Sequence, residues 1–181
     1  YEPCVVKQEE TADPNMATSD KMIGSSAAWA AGYTGAGSRI AIIDTGADVD
    51  HPSLDPDALK YALQGSNATI MTEADLTDEV LNQLNAYTRK AGLTAADFYV
   101  NEKIPFGFNY VDADTDITHD NDTQGDHGSH VTGIAAGNRF VKDEAGNYVA
   151  ALDSVMTQGV APDAQILTMK VFGKRGGAYD S

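Results

Sequence analysis

Three runs of largely apolar residues predict strands in this chain, at residues 39–43, 106–111 and 165–172. The first is a continuous, Ile-rich run bounded by glycines, which predicts a strand covered on both faces, as in parallel sheets. Between the runs, apolar residues recur at helical spacing over residues 72–90, and small residues follow His127. Strand and helix patterns in alternation therefore predict an α/β fold with a parallel sheet.

The two ends of the pattern set the domain boundaries. Residues 1–20 are polar and lack periodicity, so we expect an extended arm on the surface. An Ala-rich stretch at residues 21–32, preceded by Ser19 and Asp20, then predicts a short helix that closes on a glycine. We expect residues 21–181 to form one domain or most of one, which is long enough to bury a core. The chain begins with Tyr1 rather than Met, which we interpret as a processed or truncated end.

Composition narrows the classes of partner. The formal net charge is -15, with 27 acidic against 12 basic residues, and phosphate binding needs a basic surface. We therefore expect no nucleic-acid partner. No stretch approaches the length of a membrane-spanning helix, which needs about 20 apolar residues. A single cysteine, Cys4, excludes an internal disulfide framework.

The residues with candidate chemistry stand at the ends of predicted elements. Asp44 directly follows the first apolar run, at the carboxyl end of a strand, where open α/β sheets place their sites. His127 opens a helix of small residues, and Gly128 beside it leaves room for a ligand or another backbone. A carboxylate and an imidazole are two parts of an acid–base–nucleophile relay. Spacing alone does not establish that the two side chains meet.

Two metal arrangements compete with that interpretation. Asp126, His127 and His130 can be read as a ligand set, because histidines three residues apart lie near one helical face, but no third strong ligand follows at a suitable spacing. Asp residues also alternate over residues 112–126, which suggests calcium. That segment lacks the Gly at position six and the Glu at position twelve of an EF-hand loop. A solvated acidic loop is therefore the favoured interpretation.

Several segments together resemble one family of proteins. Residues 41–46, Ala-Ile-Ile-Asp-Thr-Gly, resemble the aspartate motif of the subtilisin-like serine proteases, the subtilases. Residues 127–133 are similar to the histidine motif of that family, His-Gly-Thr-His-Val-Ala-Gly, with Ser in place of Thr and Thr in place of Ala. Residues 159–164 and 169–173 resemble the segment that follows that motif, and residues 28–35 resemble the family's approach to the first strand.

The resemblance carries expectations about fold, roles and location. Within the family, the predicted helix at 72–90 and residues 101–110 resemble the lactocepin-like cell-envelope proteinases. The resemblance implies a doubly wound parallel sheet with helices on both faces, of which this chain holds the N-terminal portion. It implies that Asp44 orients an imidazole and that His127 is the general base, with His130 a structural residue. It also implies a secreted or cell-surface bacterial enzyme.

Substrate contacts are implied for three further residues. Gly176 and Gly177 would form an edge strand that pairs with the backbone of a peptide or protein substrate, and Phe172 would wall a pocket for an apolar side chain. Plain strand packing for Phe172 and a mobile turn for the glycines remain open at this point. The implied chemistry requires no cofactor, and the resemblance leaves room for a structural calcium ion.

The chain departs from the family in one respect. The motif of the nucleophile, Gly-Thr-Ser-Met-Ala-x-Pro, is absent from the 181 residues, as is the later segment that carries an oxyanion asparagine. We therefore expect the chain alone to be inactive, since loss of a triad member leaves only residual catalysis. The remaining part of the catalytic domain, with the serine, would be its partner. The alternative is a non-catalytic module that grips peptides in a degenerate protease cleft.

Overall fold

The computed structural model describes residues 17–154 and 157–174. Three strands form its main sheet: β1 (Arg39–Asp44), β2 (Phe106–Asn109) and β5 (Gln165–Lys170). Their order is β1-β5-β2, and both pairings are parallel. The predicted α/β fold with a parallel sheet is therefore confirmed, with the last of these strands in the chain at the centre.

The described residues also form six α-helices and one antiparallel hairpin. Gly24, with φ 82°, breaks the Ala-rich stretch predicted as one helix into two. The predicted helix at 72–90 is also shorter, because a capping box between Thr72 and Asp75 closes a separate 3-10 turn before it. The elements are α1 (Ala17–Ile23), α2 (Ser25–Ala30), α3 (Pro56–Ala62), α4 (Asp78–Tyr87), α5 (Ala95–Phe98), α6 (His127–Ala136) and the antiparallel strands β3 (Phe140–Lys142) and β4 (Tyr148–Ala150). In the part of the chain that the structure describes, no helix combines the length and apolarity of a membrane span.

The N-terminal helices are tied to the rest of the domain by a tryptophan. Helix α1 begins at Ala17, inside the segment predicted as an arm, and residues 1–16 lie outside the described residues. Trp29 of α2 donates its ring N–H to the carbonyl oxygen of Val160 at 2.8 Å. This bond anchors α2 beside the segment that leads into β5.

The sheet carries a hydrophobic core on each face. On one face, Ile42 and Ile166 pack with Ala136 of α6. On the other face, Phe106 packs with Phe98 of α5, and their stacked ring centroids are 5.4 Å apart. Successive residues of a strand face opposite sides, so β5 contributes to both cores. The structure therefore has helices on both faces of the parallel sheet.

Strand β1 differs from what its sequence predicts. The apolar run at 39–43 predicts a strand covered on both faces, whereas β1 lies at the edge of the described sheet and only Ile42 within it is buried. Ile43, on the face away from α6, is 63% exposed. That prediction was wrong for the described residues. The reason is that the second core packs against β2 and β5 and does not extend over β1.

Candidate active site

Asp44 is the last residue of β1 and stands at the carboxyl end of the sheet. Its side chain is 16% exposed, and its Oδ1 accepts a hydrogen bond of 2.7 Å from the backbone N–H of Thr45. Burial raises the pKa of Asp44, but hydrogen bonds from His127 and Thr45 outweigh that effect and bring the pKa below its ordinary value. The carboxylate is therefore ionised at neutral pH.

His127 is the first residue of α6, and its ring reaches Asp44 across 83 residues of sequence. Nδ1 lies 2.8 Å from Oδ1 and 3.0 Å from Oδ2 of the carboxylate. Because the carboxylate can only accept, Nδ1 carries the proton, which leaves Nε2 as the basic nitrogen. The His127 side chain is 68% exposed. The two side chains that sequence spacing could not bring together thus form a carboxylate–imidazole pair that is open to a reacting molecule.

Two glycines bring the start of α6 against the end of β1. A Cβ on Gly128 would lie 2.1 Å from the carbonyl oxygen of Gly46, and a Cβ on Gly46 would lie 2.1 Å from the carbonyl oxygen of Ile117. Gly46 also has φ 112°, a conformation that L side chains rarely adopt. Thr45 Oγ1 accepts a 2.8 Å hydrogen bond from the N–H of Gly128. Close backbone contact therefore sets where His127 stands.

A buried lysine beneath this pair was missed in the sequence. Lys170 is the residue opposite Asp44 in the register of β1 and β5, and its side chain is 2% exposed. Its Nζ donates to the carbonyl oxygen of Thr45 and to the carboxylate of Asp122. The sequence held one signal, a charged residue at the end of an apolar strand. A lysine buried there would need a partner, because lysine is almost never fully buried unpaired.

A cleft of about 560 Å³ borders His127 and is lined by all four histidines of the chain. One of them, His51, is exposed and accepts a 3.1 Å hydrogen bond on Nδ1 from the N–H of Ser53. His130 is exposed on α6, so its side chain belongs to the wall of the cleft rather than to a core. The cleft gives the imidazole of His127 open space on one side.

The residues that the structure describes include no group of three or more His, Cys, Asp or Glu that could hold a metal ion. For the set of Asp126, His127 and His130, Nδ1 of His127 is engaged instead by the carboxylate at the end of β1. In the acidic segment, Asp116 Oδ1 accepts hydrogen bonds from the N–H and the hydroxyl of Thr118. These bonds belong to a local turn.

Of the three residues implied in substrate contact, Phe172 alone falls within the described residues. It is partly buried and follows the end of β5, at the same edge of the sheet as Asp44. Gly176 and Gly177 lie outside the described residues.

A carboxylate that holds a histidine by its Nδ1 is one of the parts that hydrolytic relays use, and comparison with known sequences identifies the family. The sequence profile described as the subtilase family matches residues 35–181. That match covers more than half of the chain and includes both Asp44 and His127. The chain therefore belongs to the subtilase family, as its motifs predict.

Individual relatives are extracellular or large bacterial proteinases. The chain is 34% identical over 164 residues, or 88% of its length, to the PI-type proteinase of Lactococcus lactis subsp. cremoris. It is 29% identical over 177 residues, or 95% of its length, to the minor extracellular protease Vpr of Bacillus subtilis (strain 168). The similarity to lactococcal proteinases confirms the predicted resemblance to the lactocepin-like group.

The chain spans only a small part of these relatives. The matched segment is 7% of the length of the lactococcal proteinase and 14% of the length of Vpr. Any activity that belongs to a whole protein of this kind is therefore a proposal for the present chain.

Proposed function

We propose that this chain supplies the Asp and the His of an Asp-His-Ser triad, in a serine endopeptidase that hydrolyses peptide bonds through an acyl-enzyme. The observation that carries the proposal is the 2.8 Å contact between Nδ1 of His127 and the carboxylate of Asp44. Membership of the subtilase family supports the reaction class. Residues 21–181 would then be the N-terminal part of the catalytic domain, with residues 1–20 as an arm before it.

In this mechanism the chain moves one proton and stabilises one charge. Nε2 of His127 accepts the proton of a serine hydroxyl while the serine oxygen attacks the carbonyl carbon of the scissile peptide bond. The same proton then passes to the leaving amine. Asp44 keeps Nδ1 protonated and stabilises the imidazolium that forms between the two transfers. Its lowered pKa favours the charged form that this role needs, and no cofactor takes part.

The serine-bearing part of a subtilase domain is the partner that this proposal requires. The family's serine motif is absent from the 181 residues, so the chain by itself would be inactive. Loss of a triad member leaves only residual catalysis, and the family's later segment with the oxyanion asparagine is absent from the 181 residues as well. The partner segment would pack beside β1, where Ile43 is 63% exposed.

The proposed substrate is a peptide or a protein that lies along the cleft beside His127. Gly176 and Gly177 would form an edge strand, and the substrate backbone would pair with it as an added strand. Phe172 would border a pocket for an apolar side chain of the substrate. The relative named as an extracellular protease supports a location outside the cytoplasm. We therefore propose a secreted or cell-surface enzyme of a bacterium.

A fluorophosphonate probe, which labels activated serines, tests the proposal on the natural polypeptide that contains residues 1–181. The matched variant is His127→Ala, which should fold normally because the side chain it removes is 68% exposed. We expect the wild type to be labelled at a serine outside residues 1–181. The variant should be labelled slower by about 10³-fold or more, since its general base is gone. The isolated 181-residue chain should take no label.

Other results would favour one of the alternative functions. Absence of labelling in well-folded, unprocessed wild-type protein would contradict the proposal and favour the non-catalytic peptide-binding module. Loss of activity in a strong chelator, with circular dichroism showing an intact fold, would favour a metal-dependent hydrolase built on Asp126, His127 and His130. Retained activity in the chelator would exclude that hydrolase.

A further inference from the structure

The carboxyl end of the sheet holds a buried ion pair that the proposed chemistry does not use. The side chains of Lys170 and Asp122 are each 2% exposed, and Nζ of the lysine is bonded to Oδ2 of the carboxylate. Nζ also donates to the carbonyl oxygen of Thr45 at 2.5 Å. The other carboxylate oxygen of Asp122 accepts a 2.8 Å hydrogen bond from the N–H of Gln124. The pair thus joins β5 both to the end of β1 and to the loop that precedes α6.

The ion pair is connected to both proposed catalytic residues, to Asp44 through Thr45 and to His127 through the loop that contains Asp122. Thr45 donates its N–H to Asp44 at 2.7 Å and accepts a hydrogen bond from the N–H of Gly128 at 2.8 Å. Asp122 lies in the loop five residues before His127. A change at the pair would therefore reach the carboxylate through Thr45 and the imidazole through the loop.

We propose that the Lys170–Asp122 pair positions Asp44 and His127 relative to each other and so determines the turnover number. The His127 side chain is 68% exposed, so packing around the ring contributes little and its place depends on the backbone beneath it. A buried hydrogen bond between charged groups is short and strong, and these two side chains are each 2% exposed, which suits the pair to fixing that backbone. This inference rests on the proposed function, because it concerns the same site.

A purely structural role is the competing explanation, and a second buried lysine separates the two. Lys103 is fully buried, and its Nζ donates to the carbonyl oxygens of Pro162 and Ala164 at 2.9 and 2.8 Å. Its own carbonyl oxygen accepts from the N–H of Ile166, near the opposite end of β5 from Lys170. Truncation of either lysine leaves buried carbonyl groups without a donor, but only Lys170 is bonded next to the catalytic pair.

Lys170→Met and Lys103→Met, each made in the natural polypeptide, are the matched variants. Both should lower the thermal stability. We expect Lys170→Met to lower kcat by about 10²-fold per titrated active site, the effect of a misplacement of about 1 Å, with little change in KM. Lys103→Met should keep the wild-type kcat in its folded fraction. A wild-type kcat for Lys170→Met would overturn the inference.

A double variant keeps the test decisive if Lys170→Met fails to fold because Asp122 is left as an unpaired buried charge. Lys170→Met combined with Asp122→Leu removes both charges, and apolar replacement of a buried pair is often neutral for stability. We expect the double variant to fold, to retain the lowered kcat and to show faster amide hydrogen exchange over residues 119–128. A wild-type kcat in the folded double variant would overturn the inference, whatever its exchange rate.

The exchange measurement also separates this inference from the proposed function. If wild-type protein takes no fluorophosphonate label, the proposed function fails, while exchange over residues 119–128 still reports whether the pair holds the loop. Faster exchange in that segment for the double variant, but not for Lys103→Met, supports the positioning role. Equal exchange in both variants contradicts it.

Discussion

The substitution Gly128→Ala tests whether backbone contact positions the imidazole of His127, the proposed general base. A Cβ at this residue would lie 2.1 Å from the carbonyl oxygen of Gly46, whereas real Cβ atoms essentially never come within 3.0 Å of another heavy atom. Something must therefore move by about 0.9 Å. Gly46 has little room to retreat, because it lies closely against the carbonyl oxygen of Ile117. The displacement should fall on the start of α6, whose first residue is His127.

The size of the expected effect follows from that displacement. A misplacement of about 1 Å costs on the order of 10²-fold in rate, which is about 2.7 kcal/mol of transition-state free energy. Overpacking should also lower the free energy of unfolding by about 1–3 kcal/mol. The higher helix propensity of alanine should offset this loss of unfolding free energy by up to about 1 kcal/mol. We therefore expect kcat to fall about 10²-fold and Tm to fall modestly.

Gly133→Ala, in the same helix, is the matched control. A Cβ at residue 133 would meet no atom within 4 Å outside its own helix turn, so this variant should gain helix stability and keep its kcat. Residue 133 also lines the cleft beside His127, so KM is determined separately and the two variants are compared on kcat. The measurements are kcat and KM on a chromogenic peptide, in the natural polypeptide that contains this chain, and thermal unfolding by circular dichroism. If Gly128→Ala matched Gly133→Ala in both kcat and Tm, the close approach of α6 to β1 would not be what places His127.

Three further predictions concern charge and packing. Asp44→Asn should lower kcat by about 10⁴-fold in steady-state kinetics, because the imidazole loses the partner that fixes its tautomer; a loss below tenfold would contradict the role of the carboxylate. Burial lowers the pKa of Lys103 to about 7 from 10.5, so the unfolded chain binds more protons between these values and the free energy of unfolding should rise with pH there. Denaturant titrations across that range should show a weaker rise for Lys103→Met, and equal slopes would count against the shift. Phe98→Ala empties a fully buried position and should cost about 3–5 kcal/mol of unfolding free energy in the same titrations. The control is Tyr87→Ala, because Tyr87 is 76% exposed; its unfolding free energy should stay within about 0.5 kcal/mol of wild type. Equal losses in the two variants would refute the assignment of Phe98 to the core.

The parts of the site that could be predicted have local signals. Asp44 follows an apolar run and His127 precedes a run of small residues, and each pattern marks the end of an element. A parallel sheet gathers the carboxyl ends of its strands at one edge, which makes that edge the natural place for chemistry. The contact of 2.8 Å between the two side chains depends on how α6 lies against β1. No local pattern encodes that arrangement, so only the family resemblance pointed to it.

The parts that could not be predicted depend on distant segments of the chain. The ion pair of Lys170 and Asp122 joins residues 48 positions apart, and a lysine at the end of a strand is ordinarily solvated. The exposure of Ile43 has the same origin, because an apolar run does not reveal whether a neighbouring element covers both of its faces. Tertiary packing decided both cases.

The order of the strands also determines when the site can exist during folding. β5 is the last of the described strands in the chain, yet it lies between β1 and β2, so the sheet cannot close until residues 165–170 have been synthesised. Parallel pairing over such separations comes late, because loop-closure entropy is lost before the contacts form. Until β5 arrives, β1 lacks its neighbour in the sheet and Lys170 is not yet in place below Asp44. A nascent chain therefore already carries the aspartate and the histidine while residues 128–170 are being synthesised, before the sheet that holds the two side chains together is complete.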